Sequence, residues 1–130
     1  MRAAAALIIA LLFATPTFAQ PRERAPRLTY AEQTVALARI LGGAHYLRIT
    51  CASRTDQRWR DAMRGLMQRE PGQSGELTAA FNEGYRDEEA RFPVCDQGAR
   101  QTETELRAQG LRLSQALAAR NAAVRTRSKR

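Results

Sequence analysis

Apolar residues recur at helical spacing along most of the chain beyond residue 29. Leu37, Ile40, Leu41, Ala44, Leu47 and Cys51 form one such series. Thr29-Tyr-Ala-Glu32 precedes it and fits a capping box, in which a threonine oxygen takes an orphan helix N–H and a glutamate reaches back. The spacing predicts a first helix over about 30 to 51. Thr55 or Asp56 can cap a second helix with the stripe Trp59, Ala62, Met63, Leu66 and Met67, stopped by Pro71-Gly72. Ser74 can cap a third, with Leu77, Ala80, Phe81, Tyr85 and Phe92 on one face and Pro93 at its end. Asp96 can cap a fourth, carrying Ala99, Leu106, Leu113 and Leu117. Alternating strand patterns, hairpin turns and internal repeats are absent from the sequence. The fold class is therefore all-α, a small four-helix domain over 29–118 with antiparallel neighbours. Residues 119–130 are expected to form a frayed basic tail.

The first residues change the picture of where such a domain works. Arg2 is a short basic segment, Ala3 to Ala14 is apolar, and Pro16 is followed by Thr17-Phe18-Ala19. This is the pattern of a cleavable secretory signal peptide over 1–19, too short to span a bilayer comfortably. Residues 20–28 read as an extended lead-in. The expected location is the periplasm, with no membrane span after cleavage. The two cysteines, Cys51 and Cys95, both fall in the exported part. In an oxidising compartment they are expected to form a disulfide.

Net charge is +8, and its distribution matters more than its size. From Gln20 to Glu105 there are thirteen basic and thirteen acidic residues. From Leu106 onward there are seven basic residues and no acid. Basicity of this kind does not describe a nucleic-acid-binding domain. An anionic envelope surface or another envelope protein is the expected partner, with a solvated tail as the plain alternative.

Candidate chemistry gathers in LGGAHYLRITC, residues 41–51. On a helical wheel Leu41, Ala44, Arg48 and Cys51 share one face. His45 lies at its border, and Tyr46 points to the opposite side. An arginine among core positions must reach solvent or a carboxylate, and Glu88 or Glu83 is the expected partner. Gly42 and Gly43 fall off the stripe; they either permit close packing of a helix or partner, or mark a kink. Gly84 and Glu88 fall on the apolar stripe of the third helix, beside Tyr85. Glu83, Asp87, Glu88 and Glu89 form an acidic cluster that reads as a solvated helix face. His45 is the only histidine, and no metal-ligand spacing, phosphate loop or nucleophile motif accompanies it. No catalytic residue, metal or cofactor is assigned.

The pieces LGGAHYLR before Cys51, WRDAM from Trp59, AAFNEGYR from Ala79, and Cys95 itself resemble a family of small exported alphaproteobacterial proteins known only as a domain of unknown function. The resemblance covers roughly residues 36–117. It implies export, a helical fold and a cysteine pair, and it implies no activity. It also draws attention to His45, Tyr46, Arg48, Trp59, Arg60, Asn82, Tyr85 and Arg86. With Glu83 and Glu88 these make up a candidate anion site or polar network across three helices. The expected role is a non-enzymatic binding or envelope-interaction protein. One rival is a cell-wall-directed enzyme using His45 with Glu83 or Tyr85. Another is a structural subunit of an envelope complex, which predicts an exposed apolar patch at Tyr46 and the glycine pair.

Overall fold

Four α-helices and one short 3-10 turn make up a computed structural model that describes residues 27–130. Residues 1–26, where the sequence suggests a signal peptide and most of an extended lead-in, lie outside the described residues. The helices are α1 (Tyr30–Cys51), α2 (Arg58–Arg69), α3 (Ser74–Arg91) and α4 (Gln97–Ser128), with the 3-10 turn at Pro71–Gln73. No strand occurs among the described residues.

The end signals act as their chemistry predicts at two of four N-termini. Thr29 Oγ1 accepts from the Glu32 amide, and the Thr29 amide donates to the Glu32 carboxylate, so the capping box is complete. Asp96 accepts from the Ala99 amide at 2.7 Å and caps α4. The N-cap position of α2 falls on Gln57, which makes no side-chain cap bond; Asp56, one residue earlier, accepts from the Arg58 amide at 3.3 Å, and Thr55 plays no part. Ser74 does not cap α3 either. The 3-10 turn leads straight into the helix, and the serine hydroxyl donates to the Pro71 carbonyl.

α1 is the axis of the domain and packs against α2, α3 and α4. Every residue from Leu41 to Leu47 is buried. A helix covered on all sides has no polar face. Tyr46 is accordingly inside, not on an outer surface, and no exposed apolar patch forms at Tyr46 and the glycine pair. One core layer joins Leu37, Ala38 and Leu41 to Met63, Leu66, Leu77, Ala80 and Leu117. A second, nearer the disulfide, joins Tyr46 and Leu47 to Ala99.

The glycines set how closely α1 and α3 approach. A Cβ on Gly42 would lie 1.9 Å from the Phe81 carbonyl oxygen, and one on Gly84 would lie 2.0 Å from the Arg39 carbonyl oxygen. Each helix thus presses its backbone into the gap left by the other's glycine. Gly43 sits in the same contact, against the Glu88 stem and Leu106. The pair therefore marks close packing, and α1 stays one continuous helix.

Cys51 and Cys95 are joined, with Cα atoms 5.0 Å apart and a separation of 44 in sequence. The bond fastens the end of α1 to the link between α3 and α4. Closing a loop of this size is worth about 4 kcal/mol in the chain-entropy model. That is comparable to the whole stability margin of a small domain.

α4 continues as helix to Ser128, where the sequence suggested fraying. Its last turns are rich in alanine and arginine, strong helix formers, with no glycine or proline after Gly110. Arg120 is tied down there, donating to the Leu28 carbonyl and to Gln33. Asn121 donates to the Tyr30 hydroxyl.

Gly42→Ala should lower the unfolding free energy by about 3 kcal/mol, the upper end of overpacking penalties, because the obstructing atom is backbone. Gly65→Ala is the matched control. Only the far end of Arg69 lies within reach of its Cβ, so it should be neutral or gain up to about 1 kcal/mol of helix propensity. Urea unfolding of the two variants measures the difference.

Candidate functional site

Arg48 does not pair with Glu88 or Glu83. Its Nε donates to Asp56 at 2.9 Å, and Nη1 lies 3.8 Å from Glu103 of α4. Asp56 also receives Arg58 at 2.9 Å. The Arg58 and Arg48 guanidiniums, in that order, hold the Asp56 carboxyl down at about 2. Arg48 therefore clasps α1 to the α1–α2 link and to α4. The expected glutamates are engaged elsewhere. Glu88 is buried and takes Arg91 at 3.0 Å, while exposed Glu83 takes Arg39 at 3.1 Å. Arg39 also binds Asp87.

A cleft of about 780 Å³ opens between α2 and α3, above the C-terminal half of α1. Its floor is His45, Tyr46 and Ile49. One wall comes from the α1–α2 link and the start of α2, with Arg54, Gln57 and Arg60. The facing wall is α3, with Phe81, Asn82, Tyr85 and Glu89. The aromatic floor is fixed in place. The Tyr46 hydroxyl donates to the Phe92 carbonyl at 2.6 Å, and its ring meets Tyr85 edge-on at 5.1 Å between centroids. The His45 ring lies 5.9 Å from Phe81 and 6.2 Å from Tyr85.

The charges of this cleft are unevenly matched. Arg54 and Arg60 form no ion pair among the described residues, although Arg39, Arg48, Arg58, Arg64 and Arg91 all do. Glu89 stands on the opposite wall. His45 is 5 % exposed, and its Nδ1 is buried with no hydrogen-bond partner among the described residues. Burial pushes the imidazole pKa below its usual value, the positive charge of Arg60 adds to this, and Asp56 opposes it. Burial also raises the Tyr85 phenol, with Glu89 acting in the same direction and Arg54 against it.

The cleft thus gathers His45, Tyr46, Arg60, Asn82 and Tyr85 from the residues singled out in the sequence. It does not include Arg48, Glu83, Glu88, Arg86 or Trp59. Arg86 is on the exposed surface of α3. Trp59 packs on the core and lines a separate groove of about 280 Å³ between α2 and α4, with Leu37 and Leu111. Arg54 and Gln57 were not evident from the sequence. They lie on an irregular link with no periodicity to place them, and only its attachment to the disulfide at Cys51 hints at a fixed position. Among the described residues no group of three or more His, Cys, Asp or Glu is placed to hold a metal ion. No helix among them is long and apolar enough to cross a membrane.

The residues that build this floor and these walls fall within a recognisable unit. A family model described as a protein of unknown function, DUF2385, matches residues 29–121. The chain belongs to the DUF2385 family. The DUF2385 match begins at the capping threonine of α1 and ends where α4 passes its last contacts with the start of α1. It is longer than the stretch 36–117 marked by the sequence motifs. No curated protein and no solved structure matches the chain.

His45 and Asp56 both have depressed pKa values in the folded protein, so each favours folding most strongly above its unfolded-state value. The His45 contribution is complete above about pH 6.5 and declines as pH falls below it. The Asp56 contribution is complete above about pH 4 and is lost as pH falls through about 2. An NMR titration of the single imidazole should give a midpoint below 6.5, and His45→Phe should flatten the stability profile between pH 6.5 and 5.

Proposed function

We propose that this chain is a periplasmic binding protein, exported by a signal peptide over residues 1–19, whose α2–α3 cleft takes an anionic group. The observation that carries this reading is that Arg54 and Arg60 line one cleft and form no ion pair among the described residues, against Glu89 as the one carboxylate in its lining. Guanidinium groups present planar, multiple donors that suit carboxylate or phosphate oxygens. Asn82 and Gln57 add neutral donors at the rim, and the Cys51–Cys95 bond fastens the end of α1 beneath the cleft. A neutral His45 in the floor adds polarity without a competing negative charge.

The enzyme reading has weaker support. Glu83 is held by Arg39 and does not line the cleft, so no acid orients His45 there. Tyr85 is a neighbour of the imidazole, but its phenol is shifted away from ready ionisation.

The exposed basic end of α4 supports a second, less specific attraction to anionic envelope surfaces. Arg125, Arg127, Lys129 and Arg130 carry it, because Arg120 is engaged within the domain.

Inorganic phosphate titrated into the mature protein at low salt should perturb the amides of His45, Arg60 and Tyr85. Arg54→Gln and Arg60→Gln should each weaken binding about tenfold, the cost of one charged hydrogen bond. Arg86→Gln, outside the cleft, should leave it unchanged. Equal effects from all three variants would reduce the site to general surface charge. Fractionation of cells and N-terminal sequencing of the exported protein test the location; a mature chain starting near Gln20 is expected.

A further inference from the structure

We infer that the cleft binds a single-chain anionic amphiphile, with the head between Arg54 and Arg60 and the apolar chain along Met63 and Met67. This rests on the anion-binding reading above and names its ligand class. A smaller recess of about 220 Å³ adjoins the cleft, and Arg60, Phe81 and Asn82 line both. The two form one trough along the α2–α3 seam, where these helices touch only sparsely.

The ends of this trough differ in chemistry. At the cleft end is Arg54, with Glu89 on the facing wall, and Arg60 stands at the junction where it lines both. At the recess end are Met63 and Met67, with Phe81 between the two. Arg64 borders the recess but is held by Asp61 at 3.0 Å, so the unpaired guanidiniums are those of Arg54 in the cleft and Arg60 at the junction. Met67 and Thr78 face each other across the seam, the threonine hydroxyl 3.6 Å from the sulfur. Methionine side chains adapt to irregular apolar shapes. A cavity of roughly 150 Å³ holds benzene, so the recess takes the far end of an alkyl chain whose remainder runs into the adjoining cleft. A free inorganic anion would use the arginines and leave the methionine end unoccupied. An amphiphile fits both ends with one molecule.

The test uses the full mature chain and four probes below their micelle concentrations: dodecanoate, dodecyl phosphate, dodecyltrimethylammonium and inorganic phosphate. Calorimetry gives affinity, and backbone amide shifts give position. Dodecanoate or dodecyl phosphate should bind at least about tenfold tighter than inorganic phosphate, with shifts at Met63, Met67 and Phe81. Whichever of the two binds tighter identifies a fatty carboxylate or a phosphate headgroup as the source. Arg60→Gln should weaken both amphiphiles about tenfold. Met67→Gln should weaken the amphiphiles and leave inorganic phosphate unchanged, its fold checked by thermal melting. Wild-type shift mapping holds even if that variant unfolds. If inorganic phosphate binds as tightly as the amphiphiles, the anion site stands and the chain site falls. If the cationic amphiphile binds equally, or the shifts appear at Leu37, Trp59 and Leu111, the inference is overturned. If none of the four binds, the anion-binding reading falls with it.

Discussion

Backbone contact between α1 and α3 is the constraint on which the rest of the domain depends. With no Cβ at Gly42 or Gly84, each helix rests directly on a carbonyl of the other. Helices packed this closely have no room for large side chains at the crossing. The bulky residues lie beside it: His45 and Tyr46 one turn on from Gly42 in α1, Phe81 one turn before Gly84 and Tyr85 directly after it in α3. There they meet one another and form the floor and the α3 wall of the cleft. Packing and site are thus two results of one crossing.

Much of the fold was legible because helix ends carry local signals. Thr29 with Glu32, and Asp96, announce their helices through bonds only three residues long. The cysteine pair followed from its number and the expected compartment. The interior of α1 was harder to read. A helical wheel assumes one buried face and one wet face, and α1 has three neighbours. That assumption sent Tyr46 and the glycines outward. It also directed Arg48 toward the glutamates of α3, although Arg48 faces Asp56 and Glu103. Which helix covers which face is decided by tertiary packing, and no local pattern encodes it.

Half of the candidate site was legible for a related reason. His45, Tyr46, Arg60, Asn82 and Tyr85 sit on helices, so their positions follow once the helices are placed. Arg54 sits on a link, where spacing carries no geometric information. The arginines also divide by use. Those with carboxylates in reach hold the scaffold together, and the Arg48 clasp, on buried Glu103 and part-buried Asp56, is less exposed than the surface pairs. Arg54 and Arg60 do no such work. The Arg60 charge, after burial, disfavours the protonated form of His45.

The projecting end of α4 gives the molecule a direction. Residues 20–105 are electrically balanced, and all the excess of the later chain lies beyond them. Arg120 meets Leu28 at the start of α1, while the cleft floor lies near α1's other end, by the disulfide. α1 has 22 residues, a length of about 33 Å. The protein is therefore a macroscopic dipole with its cationic pole and its cleft at opposite ends. In the field of an anionic sheet it would align rather than tumble. Held by its basic pole, it would carry the cleft about a helix length away from that sheet.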